Sequence, residues 1–482
     1  MSLNLDEESL RNIVRSVLSQ MGAQPQKPCA CKKPASANIC VRTDSRKGIF
    51  SDANQAASAA YEAYKQLCKG GIAARKKVVD IVKRLTLANA KQWGEFEFNE
   101  TKIGRLEDKI GKLMNIRYVP GTEWIRPDAY SGDMGIMHEE YCPYGVIGAI
   151  TPVTHSVPTI AGNIVSMVAA GNAIVVNPHP GGVKSAVMAV SAYNEAIEKE
   201  VGISNLICCM ENPTLDSFDA ICKNPLVAIM CITGGPGVVN AAMKSGKKSI
   251  CAGPGNPPVI VDETVDLNKA AADIILGGAY DNNLLCVGEK EVFVLESVFD
   301  GFMKALAANG AVKISSNAVD TLTKAVFEEK NGKTILKRDL VGKDPQVLAA
   351  AAGTSVGSAA KMLFSQTDAN HPFVLEEQMM PMLPVVAVRT FEEALQAAHK
   401  AEHNFRHSAI IHTHDVTRMT AMARLLDTTV FVKNGPSVAG LGLGGEGYPS
   451  YSIATTTGEG ITNPKTFTRR RRCVLVDSLN IF

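Results

Sequence analysis

Hydrophobic positions along the chain change their period several times, and the changes mark out its parts. In residues 5–21, Leu10, Ile13, Val14, Val17, Leu18 and Met21 recur at helical spacing, while Glu7, Glu8, Arg11, Arg15 and Gln20 fill the opposite side. The segment 1–21 therefore reads as an amphipathic helix with one apolar stripe. Residues 22–43 lose that period and turn to Gly, Ala, Pro, Lys and Ser, the composition of a flexible linker. A short helix on such a tether cannot bury its own stripe, so it either docks on its own domain or, as the linker favours, binds a partner. Residues 50–116 are Ala-rich with interspersed Lys and Glu and read as helices. From residue 134 the period shortens, and Gly135–Ile150 reads as strand, turn, strand. Short apolar strands follow at Ala173–Val176, Leu206–Cys209, Val227–Ile232 and Val259–Val261, with helical stretches between them. That alternation predicts a doubly wound parallel sheet. A second α/β unit is expected from about 260 to 430, with strands at Glu291–Leu295, Pro384–Val388, Ser408–His412 and Thr429–Val432. Residues 433–482 are Gly-rich, then basic at Arg469–Arg472, then a strand at Cys473–Val476.

Composition narrows the class without naming a chemistry. A chain of 482 residues exceeds one compact core, so two or three domains are expected. Apolar residues at 46% and charged residues at 20% suit a globular enzyme. A net charge of +2 gives no field that would draw nucleic acid or a membrane surface. No apolar run approaches the roughly 20 residues of a membrane span, and the acidic N-terminus lacks a secretory h-region. Most of the twelve cysteines sit singly in apolar segments, as reduced thiols of a cytosolic protein do. Cys29, Cys31 and Cys40 lie in the polar linker with no His nearby, and His403, His407, His412 and His414 lack the spacing of a ligand set, so no metal is expected. The Arg469–Arg472 run has no interleaved aromatics and reads as a solvated strand or an interface.

Candidate chemistry falls at predicted strand ends, where open α/β sheets bind ligands. These segments are Thr151-Pro152-Val153-Thr154-His155, Asn177-Pro178-His179-Pro180 and Thr233-Gly234-Gly235-Pro236. The last opens a helix, whose free N–H groups suit a phosphate. The usual G-x-G-x-x-G fingerprint does not follow the first strand. Beyond them lies Cys286, after a glycine loop, Cys251-Ala252-Gly253-Pro254-Gly255-Asn256, that holds neither acid nor base. A cysteine near such a loop suggests covalent chemistry on a carbonyl.

In their order and identity these motifs resemble the aldehyde dehydrogenase superfamily. Ile150-Thr151-Pro152, Ala170-Gly171-Asn172, Ile232-Thr233-Gly234, Glu376-Glu377-Gln378-Met379-Met380-Pro381 and the cysteine after the glycine loop carry the likeness, over roughly residues 45–482. Asn177-Pro178-His179-Pro180 and Ala252–Pro258 stand closer to the CoA-acylating branch, and the tail from Asn434 to Cys473 is similar to the propionaldehyde dehydrogenases of bacterial microcompartments. The resemblance implies an α/β fold with a Rossmann-type nucleotide domain (44–256, with an oligomerisation hairpin at 133–147), an α/β catalytic domain (257–432) and a C-terminal segment (433–482) bearing an oligomerisation strand. It implies a catalytic Cys286 that passes an acyl group from a short aldehyde to coenzyme A, with NAD as oxidant. The hydrolytic alternative, release of the free acid, would need a Glu where this chain has Ala252; a non-catalytic shell-associated homologue is the other alternative. The resemblance further implies that Glu377 holds the nicotinamide ribose, that Thr233, Gly234 and Gly235 take the phosphates and that Pro178 and His179 take the adenosine end. Thr151, Pro152, Val153, Pro180, Thr214, Ala252 and Gly253 complete the expected cofactor site. His155 stands where relatives carry an Asn that helps stabilise the oxyanion. A homodimer or tetramer is implied, inside a cytoplasmic microcompartment whose shell is bound through residues 1–20.

Overall fold

The computed structural model describes residues 47–477 and 479; the targeting helix expected over 1–21 and the linker over 22–43 lie outside the described residues. Two parallel sheets organise the rest. The first has six strands in the order Ile49–Phe50, Ile207–Met210, Ala173–Pro178, Val146–Thr151, Val227–Thr233 and Lys248–Ala252. Three of its inner strands, Ile207–Met210, Ala173–Pro178 and Val146–Thr151, are buried throughout and largely apolar, as strands covered by helices on both faces must be. The Ala53–Ala88 helix packs against the helices Ser156–Ala169 and Val183–Val201. Every residue of Ser156–Ala169 is buried, which its nearly all-apolar sequence permits. The chain moves outward on one side of Val146–Thr151 and returns on the other at Val227–Thr233, so the strand order reverses between them and opens a crevice at their C-terminal ends.

The second sheet has seven parallel strands, ordered Ala311–Lys313, Met362–Thr367, Met382–Val388, Glu291–Leu295, Pro258–Val261, Ser408–His412 and Val430–Lys433. Two expectations change here. The strand at Val259–Val261, which followed the first series in sequence, belongs to the second sheet, between Glu291–Leu295 and Ser408–His412. Cys251 and Ala252, read as the start of the glycine loop, are the end of Lys248–Ala252, the outer strand of the first sheet. Its leading residues Lys248 and Ser249 hide it, because an edge strand need not be apolar from end to end.

A three-stranded antiparallel arm stands apart from both sheets. Gly135–Pro143 pairs with Asp128–Gly132 on one side and Thr468–Val476 on the other. The hairpin is thus 128–143, and not 133–147, because Val146–Thr151 joins the first sheet. Arg472 donates to Glu139 at 2.9 Å, so the basic run faces acidic partners across the strands. After the second sheet the chain returns to the first unit: Ala454 and Phe467 are fully buried in its core, and Asn172 Nδ2 donates to Phe467 O at 2.9 Å.

Candidate active site

The first sheet places four of the sequence candidates on one edge. Thr151 lies opposite Pro178, and Thr233 opposite Ala252, each pair at the C-terminal end of its strands. His179 N–H donates to Thr151 O at 2.9 Å, and Ser156 Oγ donates to Gly182 O at 3.1 Å, so the turns after the two strands lock together. A Cβ on Gly181 would come to 3.2 Å from Val153 Cγ2, which explains why the tight contact carries glycine. His179 Nδ1 accepts from Gly181 N–H at 3.0 Å, and burial together with the charge of Arg338 lowers its pKa. The imidazole therefore stays neutral there. Thr214 sits further out, where its hydroxyl accepts from Ser217 N–H as a helix cap. That hydroxyl already serves the fold, and its placement offers the crevice only a rim contact.

Gly235 precedes the Pro236–Lys244 helix, and nothing lies within 4 Å of a Cβ built on Gly235 or Gly237. The opening turn thus presents an unobstructed backbone. Thr233 Oγ1 is bonded to Ser452 Oγ at 2.7 Å, and Ser452 Oγ donates to Asn163 Oδ1 at 3.1 Å. Three buried polar atoms along this wall, Thr151 Oγ1, His155 Nδ1 and Asn163 Nδ2, have no protein partner. Buried polar atoms are ordinarily paired, so this wall suits a polar ligand such as a dinucleotide.

Cys286 approaches from the second unit, on the loop before the Glu291–Leu295 strand, and is half-buried. The residues ahead of it are unusual. Asp281, Asn282 and Asn283 adopt φ of 47°, 53° and 64°, three successive left-handed non-glycine residues. Asp and Asn tolerate that region better than other side chains. Each is also held in place. Asn282 donates to Gly342 O at 3.0 Å and Asp344 Oδ1 at 2.8 Å and accepts from Arg105 Nε at 2.6 Å. Asn283 Nδ2 donates to Gly278 O and Glu289 O at 2.8 and 2.9 Å. The glycine loop packs directly on this turn: a Cβ on Gly255 would sit 2.7 Å from Cys286 O and 2.8 Å from His407 Cγ. Gly255 N–H donates to the Glu377 carboxylate, which ties together Cys286, the base-free loop and the Glu-Glu pair. Burial pushes the Cys286 thiol up to about 12, with the Glu377 charge adding to the rise and Lys290 and Lys112 opposing it. Its own backbone N–H points at the sulfur.

A buried group of four ionisable side chains, with no signature in the local sequence, joins the helix after His155 to the turn before Cys286. Glu97, Lys109, Lys112 and Asp281 are each at most 1% exposed. Lys112 bonds to Asp281, and Lys109 Nζ lies 3.4 Å from Glu97 and 3.9 Å from Asp281. Glu97 also accepts from Ser156 N–H at 3.2 Å and Val157 N–H at 3.0 Å, so it caps the helix that His155 begins. His155 is buried, and desolvation with the charges of Lys112 and Lys109 lowers its pKa well below the usual value. Its ring lies 5.8 Å from Tyr451, whose hydroxyl donates to Lys112 O at 2.8 Å. Periodicity assigns Lys109 and Lys112 to a solvated helix face, and no local signal reveals their partners. Ser452 and Asn163 were likewise missed, because Ser and Asn in apolar surroundings have no distinctive spacing.

With this geometry in view, comparisons with known proteins are direct. The profile of the aldehyde dehydrogenase family matches residues 22–448. An acetylating acetaldehyde dehydrogenase from Salmonella typhimurium is 38% identical over 481 residues, covering 99% of this chain and all of that one. A propionaldehyde dehydrogenase from the Clostridium phytofermentans fucose utilisation bacterial microcompartment superposes with a TM-score of 0.88 at 41% identity, covering 90% of this chain and all of that chain. A Rhodopseudomonas palustris propionaldehyde dehydrogenase, solved with bound CoA and an acylated cysteine, superposes at 0.87 with 40% identity, covering 90% of this chain and 99% of that chain.

Proposed function

The chain belongs to the aldehyde dehydrogenase family, and from that premise we propose that it oxidises a short aliphatic aldehyde, propionaldehyde foremost, to the corresponding acyl-CoA with NAD. One observation carries the acylating reading. The loop packed against Cys286 offers Ala252, Gly253, Pro254 and Gly255, and none of these can take a proton from water. A thiol co-substrate ionises near pH 8.5 and needs far less help than water does.

In this reading Cys286 gives its thiol proton to solvent, its Sγ anion adds to the aldehyde carbon, and the carbonyl electron pair moves to oxygen. His155, whose Nδ1 has no protein partner, and the Cys286 N–H, released from the sulfur once that is bonded to carbon, would be the donors to that developing oxyanion. The nicotinamide, when bound, supplies the acceptor for the hydride that leaves this carbon. The carbonyl re-forms as a thioester on Cys286. The CoA thiolate, its proton released to solvent, then adds to the thioester carbon, and the bond to Cys286 breaks to return the thiolate. Glu377 would hold the ribose, and Thr233, Gly234 and Gly235 would take the phosphates on the open end of their helix. Pro178, His179 and Pro180 would border the adenosine, with Thr151, Pro152, Val153, Ala252 and Gly253 lining the crevice. No lysine stands in 177–180 to grip a 2′-phosphate, which favours NAD over NADP.

The domain division 44–256, 257–432 and 433–482 is part of the same reading. The arm supports a homo-oligomer, since Tyr130, Met134, Val474 and Val476 are exposed on a thin sheet that cannot bury them itself. Residues 1–20 are assigned to docking on a microcompartment shell protein, which places the enzyme inside such a compartment in the cytoplasm. Removal of residues 1–20 is expected to leave turnover intact and to abolish co-sedimentation with shells. Among the described residues no helix is long and apolar enough to cross a membrane.

The deciding measurement is NADH formation from acetaldehyde, propionaldehyde and butyraldehyde, each with and without CoA, with the products identified. Acyl-CoA formed only when CoA is present supports the reading. Full-rate NADH formation without CoA, yielding free acid, refutes it.

A further inference from the structure

Lys290 lies four residues beyond Cys286, and the reaction described above gives it no task. Its side chain is fully buried. Its Nζ donates to Asn283 O at 2.9 Å, to Asn283 Oδ1 and to Leu285 O at 3.3 Å. An ammonium has three protons, and this cradle supplies three acceptors. A neutral amine has two and would leave one acceptor unpaired, so the cradle favours the charged form. All three acceptors belong to the turn that delivers Cys286. The left-handed backbone at Asn283 is what brings its carbonyl and its side-chain oxygen to the same cation.

The main chain of Lys290 joins the remaining parts of the site. Its N–H donates to Pro257 O at 3.2 Å, on the base-free loop. Its carbonyl accepts from Gln378 Nε2 at 3.2 Å, beside Glu377. The nucleophile turn, the glycine loop and the Glu377 segment therefore all meet at this one residue.

Resting on the reading of Cys286 as the nucleophile, we infer that Lys290 is a positioning residue: a fixed buried ammonium behind Cys286 that shapes its turn and stabilises the sulfur anion. The charges around it fit that task. Cys286 faces Glu377, Lys290 and Lys112. Burial lowers the Lys290 pKa, and the charges of Glu377, Cys286, Glu291 and Glu289 oppose that fall. Glu291 has no partner on either oxygen, and burial raises its pKa well above the carboxylate range, so it remains uncharged. Burial brings Glu289 up to about 7, and its oxygens accept from Ser437 N–H and Oγ at 2.7 Å each. Burial raises the Glu377 pKa too, but the Lys290 charge and the Gly255 N–H oppose the rise, and Glu377 is the carboxylate that competes most with the thiolate for the Lys290 charge. A buried cation with few ionised neighbours acts at low dielectric, where one opposite charge shifts a pKa by about 1–3 units.

The test follows alkylation of Cys286 by iodoacetamide against pH, read by mass spectrometry of its peptide, so that neither aldehyde turnover nor CoA enters the result. In Lys290→Met the profile is expected to move up by about one unit or more, a roughly tenfold slower reaction at a fixed pH below the pKa. In Lys290→Arg, which keeps the charge, it should stay near that of the unsubstituted protein. In Glu377→Gln, which retains Lys290, it should move down. An unchanged profile in a folded Lys290→Met chain overturns the inference, as does a Lys290→Arg profile that rises as far as the neutral variant's. If Lys290→Met does not fold, Lys290→Gln, which keeps a donor for the turn but no charge, decides: an upward shift supports the inference, and no shift or a downward one overturns it. Failure of the function itself would appear separately, as absence of CoA-dependent NADH formation in the unsubstituted enzyme.

Discussion

Asp281→Asn isolates the electrostatic part of the buried quartet from everything else at that position. Asp281 holds φ of 47°, and Asn adopts the same left-handed backbone about as readily, so the turn itself is not strained by the change. The Asn oxygen can still accept from Arg105 N–H, which now donates to Asp281 at 2.7 Å. What disappears is one negative charge beside Lys112 and 3.9 Å from Lys109. Glu97 is left alone to balance two ammoniums, all within 1% of full burial. Removing one member of a buried ion pair typically costs about 3–5 kcal/mol. At about 2.1 cal/mol/K per residue, unfolding a chain of 482 residues carries an entropy of about 1 kcal/mol/K, so each kcal/mol lowers the midpoint by about 1 °C and thermal unfolding is expected about 3–5 °C lower. The double variant Asp281→Asn/Lys112→Met removes the excess charge as well and should recover at least about 1 kcal/mol relative to the sum of the single changes. Calorimetry of the four proteins of that cycle gives the comparison. A midpoint within about 1 °C of the unsubstituted protein for Asp281→Asn, or strict additivity in the double variant, would show that the quartet carries no net interaction.

Three further outcomes follow from the same geometry. Burial raises Glu289 from 4.5 to about 7, so the folded state holds a proton that the unfolded state releases; stability is full below about pH 4.5 and falls through pH 7, by about 3 kcal/mol in all, and Glu289→Gln should flatten unfolding midpoints measured from pH 5 to 8. A pH dependence unchanged in that variant would count against this origin. Ala252→Glu places a carboxylate at the end of the Lys248–Ala252 strand, and CoA-independent NADH formation should rise by roughly tenfold or more, with free acid as product; no rise would mean that water cannot reach the thioester. His155 is buried with its pKa far below the usual value, so it stays neutral near pH 6 and His155→Asn should leave the pH profile of kcat unmoved; a new or lost inflection between pH 5 and 7 would show that the ring titrates after all.

Much of the scaffold was legible because parallel strands buried on both faces must be apolar at every position, and Ala173–Pro178 and Ile207–Met210 announce themselves in that way. Lys248–Ala252 did not, since an edge strand can begin with charged residues. Pro258–Val261 was visible as a strand but not as a member of the second sheet, because a short apolar run carries no information about its neighbours. The reading of 133–147 as a hairpin failed for a related reason: two consecutive strands in sequence went to different sheets. At the site, the residues on strand ends and glycine turns could be read from their motifs. Lys109, Lys112 and Lys290 could not. Their local surroundings look like a solvated helix face and a charged Gly-Glu-Lys-Glu run, and their burial depends on partners such as Asp281, 169 residues from Lys112.

The return of the chain to the first unit sets an order of assembly during synthesis. All six strands of the first sheet have been made once residue 252 emerges, yet that core still lacks Ala454 and Phe467, which are fully buried in it. At about 5–20 residues per second the ribosome needs roughly 10–40 s to reach them from there. For that interval the nascent first unit exposes an apolar seam, and the second unit can complete its own sheet first. The domain made first is thus the last to close, and the seam is where a chaperone would be expected to bind the growing chain.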